Sequence, residues 1–122
     1  VLDPLNGYLA LAEKLWKHPE FVGAYNFGPL AHEAATVKEV IQIAIAAYGT
    51  GEVIYGDGDA GPHEASWLTL DTSKARHSLG IIPKWSLSES IKRTMFWYRA
   101  QQQGVNAYSL CEADIAAYES SE

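Results

Sequence analysis

Cysteine and methionine occur once each among the 122 residues, as Cys111 and Met95. A single cysteine excludes an internal disulfide and a cysteine-built metal framework. Cys111 shares a helical spacing with Leu110, Ile115 and Tyr118, which predicts a small buried apolar role rather than a reactive thiol. No stretch approaches the roughly 20 apolar residues of a membrane-spanning helix, and no signal peptide opens the chain. Cytoplasm is therefore the expected compartment. Basic residues are scarce, nine Lys and Arg against fifteen Asp and Glu, for a formal net charge of -6. That balance argues against binding nucleic acid through its phosphates, while leaving room for one local anion site. An initiator Met is absent, and Val1-Leu2 reads as the end of a strand, so a truncated or processed product is expected.

Catalytic signatures are missing as well. None of the seven tyrosines has a lysine four positions on; those positions hold Ala12, Pro29, Glu52, Asp59, Gln102, Glu112 and Glu122. No serine stands in a nucleophile elbow. Gly56, Gly58 and Gly61 spell G-x-G-x-x-G, but that fingerprint needs a helix N-terminus directly after it to meet a pyrophosphate. Here Pro62-His63-Glu64 leads toward a strand, and the reading is a flexible loop. The same stretch fails as a calcium loop, because Pro62 and Leu68 stand where Gly and Glu are required. His32-Glu33 and His63-Glu64 invite a metal reading, yet the second histidine of a zinc helix would fall at Thr36 or Trp67.

What is present is a globular mix, 48% apolar and 20% charged, long enough to bury a modest core. Leu5, Tyr8, Leu9, Ala12, Leu15 and Trp16 form a wide apolar stripe on a helix from about Pro4 to Lys17, with Asp3 as N-cap. Thr36 and Glu39 form a capping box before Val37, Val40, Ile41, Ala44, Ile45 and Tyr48, and Gly49 stops that helix. Asp71 or Thr72 caps a short helix ending at Gly80. Ser86 and Glu89 form a second capping box before Leu87, Ile91, Met95 and Tyr98. Gly104 ends this helix, and a last one is expected to bury Tyr108, Cys111, Ile115 and Tyr118. Ala24–Phe27, Glu52–Tyr55 and Ser66–Leu70 read as short strands. The expected fold class is α/β, with about five helices and two or three short strands. Lys74 and Arg76 read as a solvated helix face.

The order of certain words is more specific than their physics. Leu70-Asp71-x-Ser73-Lys74-Ala75, Leu79-Gly80, Pro83-x-Trp85-Ser86-Leu87 and the closing Trp97-Tyr98 resemble the C-terminal region of nucleotide-sugar enzymes of the extended short-chain dehydrogenase/reductase family. Pro62-His63-Glu64-Ala65 is most similar to the 4,6-dehydratase branch, as are Val1–Leu9 and Ala24–Pro29. The resemblance covers nearly the whole chain but roughly the last third of such an enzyme. It implies residues 1–30 as the final helix and strand of a Rossmann domain, and 31–122 as a small C-terminal substrate-binding lobe. It implies NAD in the parent enzyme but none on this chain alone, a nucleotide-sugar substrate with CDP-glucose favoured, and a homo-oligomer lacking here its N-terminal Rossmann domain. Deoxysugar synthesis for surface polysaccharide is the implied setting.

Within that picture the substrate-binding residues are His63, Glu64 and Trp67. A Glu64 carboxylate can accept from two ribose hydroxyls, and His63 can donate to a phosphate or a base carbonyl. Trp67 offers a stacking surface. Glu64 could instead bond nearby loop N–H groups. The family's phosphate-pairing arginine has no counterpart near Gly61. The chain is expected to be catalytically inert alone, and an independent noncatalytic binding module or another epimerase or dehydratase are the alternatives.

Overall fold

The computed structural model describes residues 1–56 and 69–121. Five α-helices run through them: α1 (Leu2–Lys17), α2 (Val37–Tyr48), α3 (Ser73–Leu79), α4 (Leu87–Gln102) and α5 (Ala107–Glu119). Single 3-10 turns sit at Pro19–Phe21 and Ala31–Glu33. None of the described residues forms a strand, so the α/β expectation is corrected to an all-helical architecture.

The reason lies in what a strand requires. A short extended segment is a strand only beside a partner whose N–H and C=O groups complete its ladder. Ala24–Phe27 instead meets the start of α3 through side-chain bonds: Lys74 Nζ donates to Ala24 O at 3.0 Å, and Asn26 Nδ2 to Asp71 O at 3.1 Å. Tyr25 donates its hydroxyl to Phe21 O at 2.8 Å. Val53-Ile54-Tyr55 has β-rich chemistry, but β propensity expresses packing against neighbours, and Ile54 is 91% exposed. The third expected strand, Ser66–Leu70, lies mostly outside the described residues; Thr69 and Leu70 are irregular.

Helix boundaries follow local chemistry closely. Thr36 and Glu39 form the full reciprocal box on α2, and Gly49 closes it at φ 88°. Ser86 Oγ accepts from Glu89 N–H, but the Glu89 carboxylate turns to Arg93 at 2.6 Å, so this second box is half formed. At α3 the Asp71 carboxylate, not the Thr72 hydroxyl, accepts the Ser73 N–H at 2.9 Å, and Gly80 takes the left-handed position. Asp3 is not the N-cap of α1. It lies within the first turn, after Val1, and reaches across the molecule as described below.

Two groupings of elements emerge. In one, α1 packs on the Pro19–Phe21 turn and on α3. Phe27 lies so close to Gly7 that any Cβ there would overlap its ring, which is why a glycine is tolerated mid-helix. Tyr8 meets Phe27 edge-on at 5.4 Å. In the other, α2 lies along α4, and α4 contacts α5. Val40, Ile41, Ala44, Ile45 and Tyr48 are half-buried there. Only Ala75, Ala100 and Tyr118 are buried apolar residues among those described. The last helix therefore departs from expectation: Cys111 is exposed, Tyr108 is 71% exposed, and Tyr118 alone is buried.

Candidate functional site

His63, Glu64 and Trp67 lie outside the described residues, as does most of the glycine loop from Asp57 onward. The described chain resumes at Thr69. There Thr69 and Leu70 line a groove of about 280 Å³ with Pro29, Leu30, the Ala31–Glu33 turn, Val40 and Leu87. In chain order, Thr69 follows the stretch carrying all three expected ligand contacts.

The groove's shape comes from cross-chain hydrogen bonds. Glu33 Oε1 accepts the Leu87 N–H at 3.3 Å, tying the 3-10 turn to the start of α4. Asn26 holds Asp71 O, so the segment leading into Gly28-Pro29 is fixed to the segment after Leu70. A Cβ on Gly28 would come within 3.1 Å of Leu70 Cδ1, so the two segments touch. The walls are mainly apolar, with one carboxylate already engaged. His32 is exposed beside it. Lys74 is not simply a solvated residue: its ammonium lies 4.1 Å over the Tyr25 ring as well as on Ala24 O.

Acid–base chemistry has no foothold in the groups whose pKa moves. Glu13 is held down by its hydrogen bond from Lys17, Glu20 by a backbone hydrogen bond, Glu39 by the Thr36 N–H and Asp71 by Ser73. Tyr118 is pushed up, chiefly by burial and then by its hydrogen bond to Asp3. All of these shifts run away from neutrality, where a general acid or base works best. No cluster of three metal-ligating side chains occurs among the described residues.

A dinucleotide fits these residues poorly. Its pyrophosphate would seek free N–H groups at a helix N-terminus. Here α1 carries Asp3 in its first turn, α2 its Thr36–Glu39 box, and α3 the Asp71 carboxylate. The start of α4 is taken by Ser86 and Glu33, and that of α5 by Asn106 Oδ1, which accepts from Tyr108 and Ser109. The residues sequence reasoning missed are structural ties of this kind. Glu33 and Asp3 act on partners 54 and 81 positions away, a distance at which sequence offers no signal. Arg93 was signalled by Glu89 four residues earlier.

No protein-family profile matches the chain. Among curated proteins, the CDP-glucose 4,6-dehydratase of Salmonella typhimurium (strain LT2) is 34% identical over 119 residues, covering 97% of this chain. The chain spans 33% of that relative's length. No described helix is long and apolar enough to cross a membrane. The resemblance read from the chain's own words therefore stands: over nearly its full length this protein is similar to one third of a CDP-glucose 4,6-dehydratase.

Proposed function

We propose that this chain is the C-terminal, sugar-nucleotide-facing part of a nucleotide-sugar 4,6-dehydratase, with CDP-glucose the favoured substrate. The similarity over 97% of the chain carries the reading. In it, His63, Glu64 and Trp67 contact the nucleotide, and the chain's work is to hold and orient the substrate. NAD would supply the hydride chemistry in the parent enzyme and would be held by the parent's Rossmann domain, which residues 1–30 would complete. The parent is read as a cytoplasmic homo-oligomer. Exposed apolar side chains support a part over an independent binding module: Leu9 at 72%, Trp16 at 89% and Val22 at 77% would gain from being covered by a further domain.

The test joins this chain to the remaining two thirds of the Salmonella relative. The joined protein is expected to convert CDP-glucose with NAD, and to prefer it over UDP- and dTDP-glucose. Glu64→Gln is expected to raise KM about tenfold with kcat little changed, as loss of a binding contact predicts. A folded joined protein without turnover, or a purified isolated chain that turns over CDP-glucose, would refute the proposal.

A further inference from the structure

A recess of about 430 Å³ opens between the first turn of α1, α4 and α5. Leu2, Leu5, Trp85, Trp97, Cys111 and Ile115 supply its apolar wall. Left to water, that volume would hold roughly fourteen molecules against indole and aliphatic surface, an unfavourable arrangement. The side chains around it are correspondingly bare: Tyr98 is 55% exposed and Ile115 46%.

The wall's chemistry narrows the occupant. Among the described residues that line it, Arg93 and Asp114 are the only charged side chains, and they pair with each other at 3.3 Å. Arg93 is further held by Glu89 at 2.6 Å and stacks 4.4 Å over the Trp85 ring. Thr94 donates its hydroxyl to Ser90 O. A small polar ligand needs convergent free polar groups to orient it, whereas the charged pair and the Thr94 hydroxyl already have partners. A second copy would need one patch to be both hollow and ridge, because a two-fold interface is self-complementary. An uncharged polypeptide segment needs neither. The relative's length leaves two thirds of such a polypeptide to supply one.

We propose that this recess seats an apolar, uncharged segment of the parent polypeptide lying outside these 122 residues, with a large side chain inserted between α4 and α5. The inference rests on the reading of the chain as part of a longer enzyme. Cys111, the one cysteine, is an exposed reporter on the wall.

Alkylation at Cys111, read by peptide mass spectrometry, tests it. In the joined protein described above, labelling is expected to be at least about tenfold slower than in the isolated chain, and slower by a similar factor than in urea. Ile115→Glu in the joined protein is expected to restore rapid labelling by expelling the segment. Equal rates in native joined protein and urea would overturn the proposal, as would protection that Ile115→Glu leaves intact. Protection of the isolated chain that grows with its concentration would assign the recess to a second copy and overturn it too. Turnover of CDP-glucose with a freely reactive Cys111 would sink this inference alone. A protected Cys111 in a joined protein that neither binds nor converts the sugar nucleotide would sink the functional reading alone.

Discussion

Asp3 shows how one side chain can hold distant parts of a chain together. Its Oδ1 accepts the Lys84 N–H at 2.7 Å and the Tyr118 hydroxyl at 2.8 Å, linking α1 to the α3–α4 connection and to α5. The same corner is tightened by Lys84 Nζ on Ser121 O at 2.8 Å and by the Trp85 indole N–H on Ser121 Oγ at 2.9 Å. Asp3→Ala strips both donors of a charged acceptor and is expected to cost about 3 kcal/mol. Tyr118→Phe removes one of the two bonds and is expected to cost about 1 kcal/mol, with the pair non-additive. Urea unfolding followed by circular dichroism measures both, and an Asp3→Ala effect within experimental error of zero would deny the corner its role. Tyr118 also gives a pH signature. Its hydroxyl titrates above the usual phenol value because burial, and then Asp3, disfavour the anion. The folded state thus prefers the neutral phenol. Its stabilisation is complete below about pH 10, the unfolded value, and is lost as pH rises toward the folded one. Tyr118→Phe should flatten that alkaline loss.

At the level of elements, most of what was legible in the sequence is decided within four residues. Thr36 and Glu39 meet because three residues separate them, and Gly49 and Gly80 stop helices because a left-handed turn favours glycine. Thr36→Ala should therefore cost about 1 kcal/mol of stability, seen as a lower Tm. The carboxylates at the starts of α2 and α3 add an acid signature. Glu39 is lowered by the Thr36 N–H and Asp71 by Ser73, so each stabilises the fold above its unfolded pKa, and that contribution is lost as pH falls below about 4. Glu39→Gln and Asp71→Asn together should leave stability less dependent on pH between about 5 and 2. An unchanged slope in an acid titration would show that neither cap is formed in solution. Strands and burial were not legible, for a related reason. The residues of Val53–Tyr55 suit a sheet, but only a neighbouring strand makes them one. Spacing put Tyr108, Cys111 and Ile115 on a face of α5, yet spacing does not say whether anything covers that face. The candidate site was read from the resemblance together with the glycine-rich loop that precedes it. His63, Glu64 and Trp67 lie outside the described residues, while the Thr69–Leu70 groove depends on Glu33 and Asn26 reaching partners 54 and 45 positions away.

For the molecule as a whole, the imbalance between apolar content and apolar burial decides the next experiment. Nearly half the residues are apolar, but α1 turns Leu9 and Trp16 to solvent at 72% and 89% exposure. Tyr8 at 57% and Leu5 at 44% continue the stripe along the same helix. A surface substitution that removes no contact changes stability by no more than about 0.5 kcal/mol. Leu9→Lys with Trp16→Lys in the isolated chain is accordingly expected to leave unfolding nearly unchanged, while reducing binding of a hydrophobic dye and self-association in sedimentation. In the joined enzyme the same pair would bury two unpaired ammonium groups if that face meets the rest of the polypeptide, and should cost several kcal/mol or prevent folding. The contrast between the two contexts is the measurement, because a single context cannot separate a solvated stripe from a covered one. Equal tolerance in both would mean that α1 faces water in the complete enzyme, and residues 1–30 would then form no part of a larger domain's core.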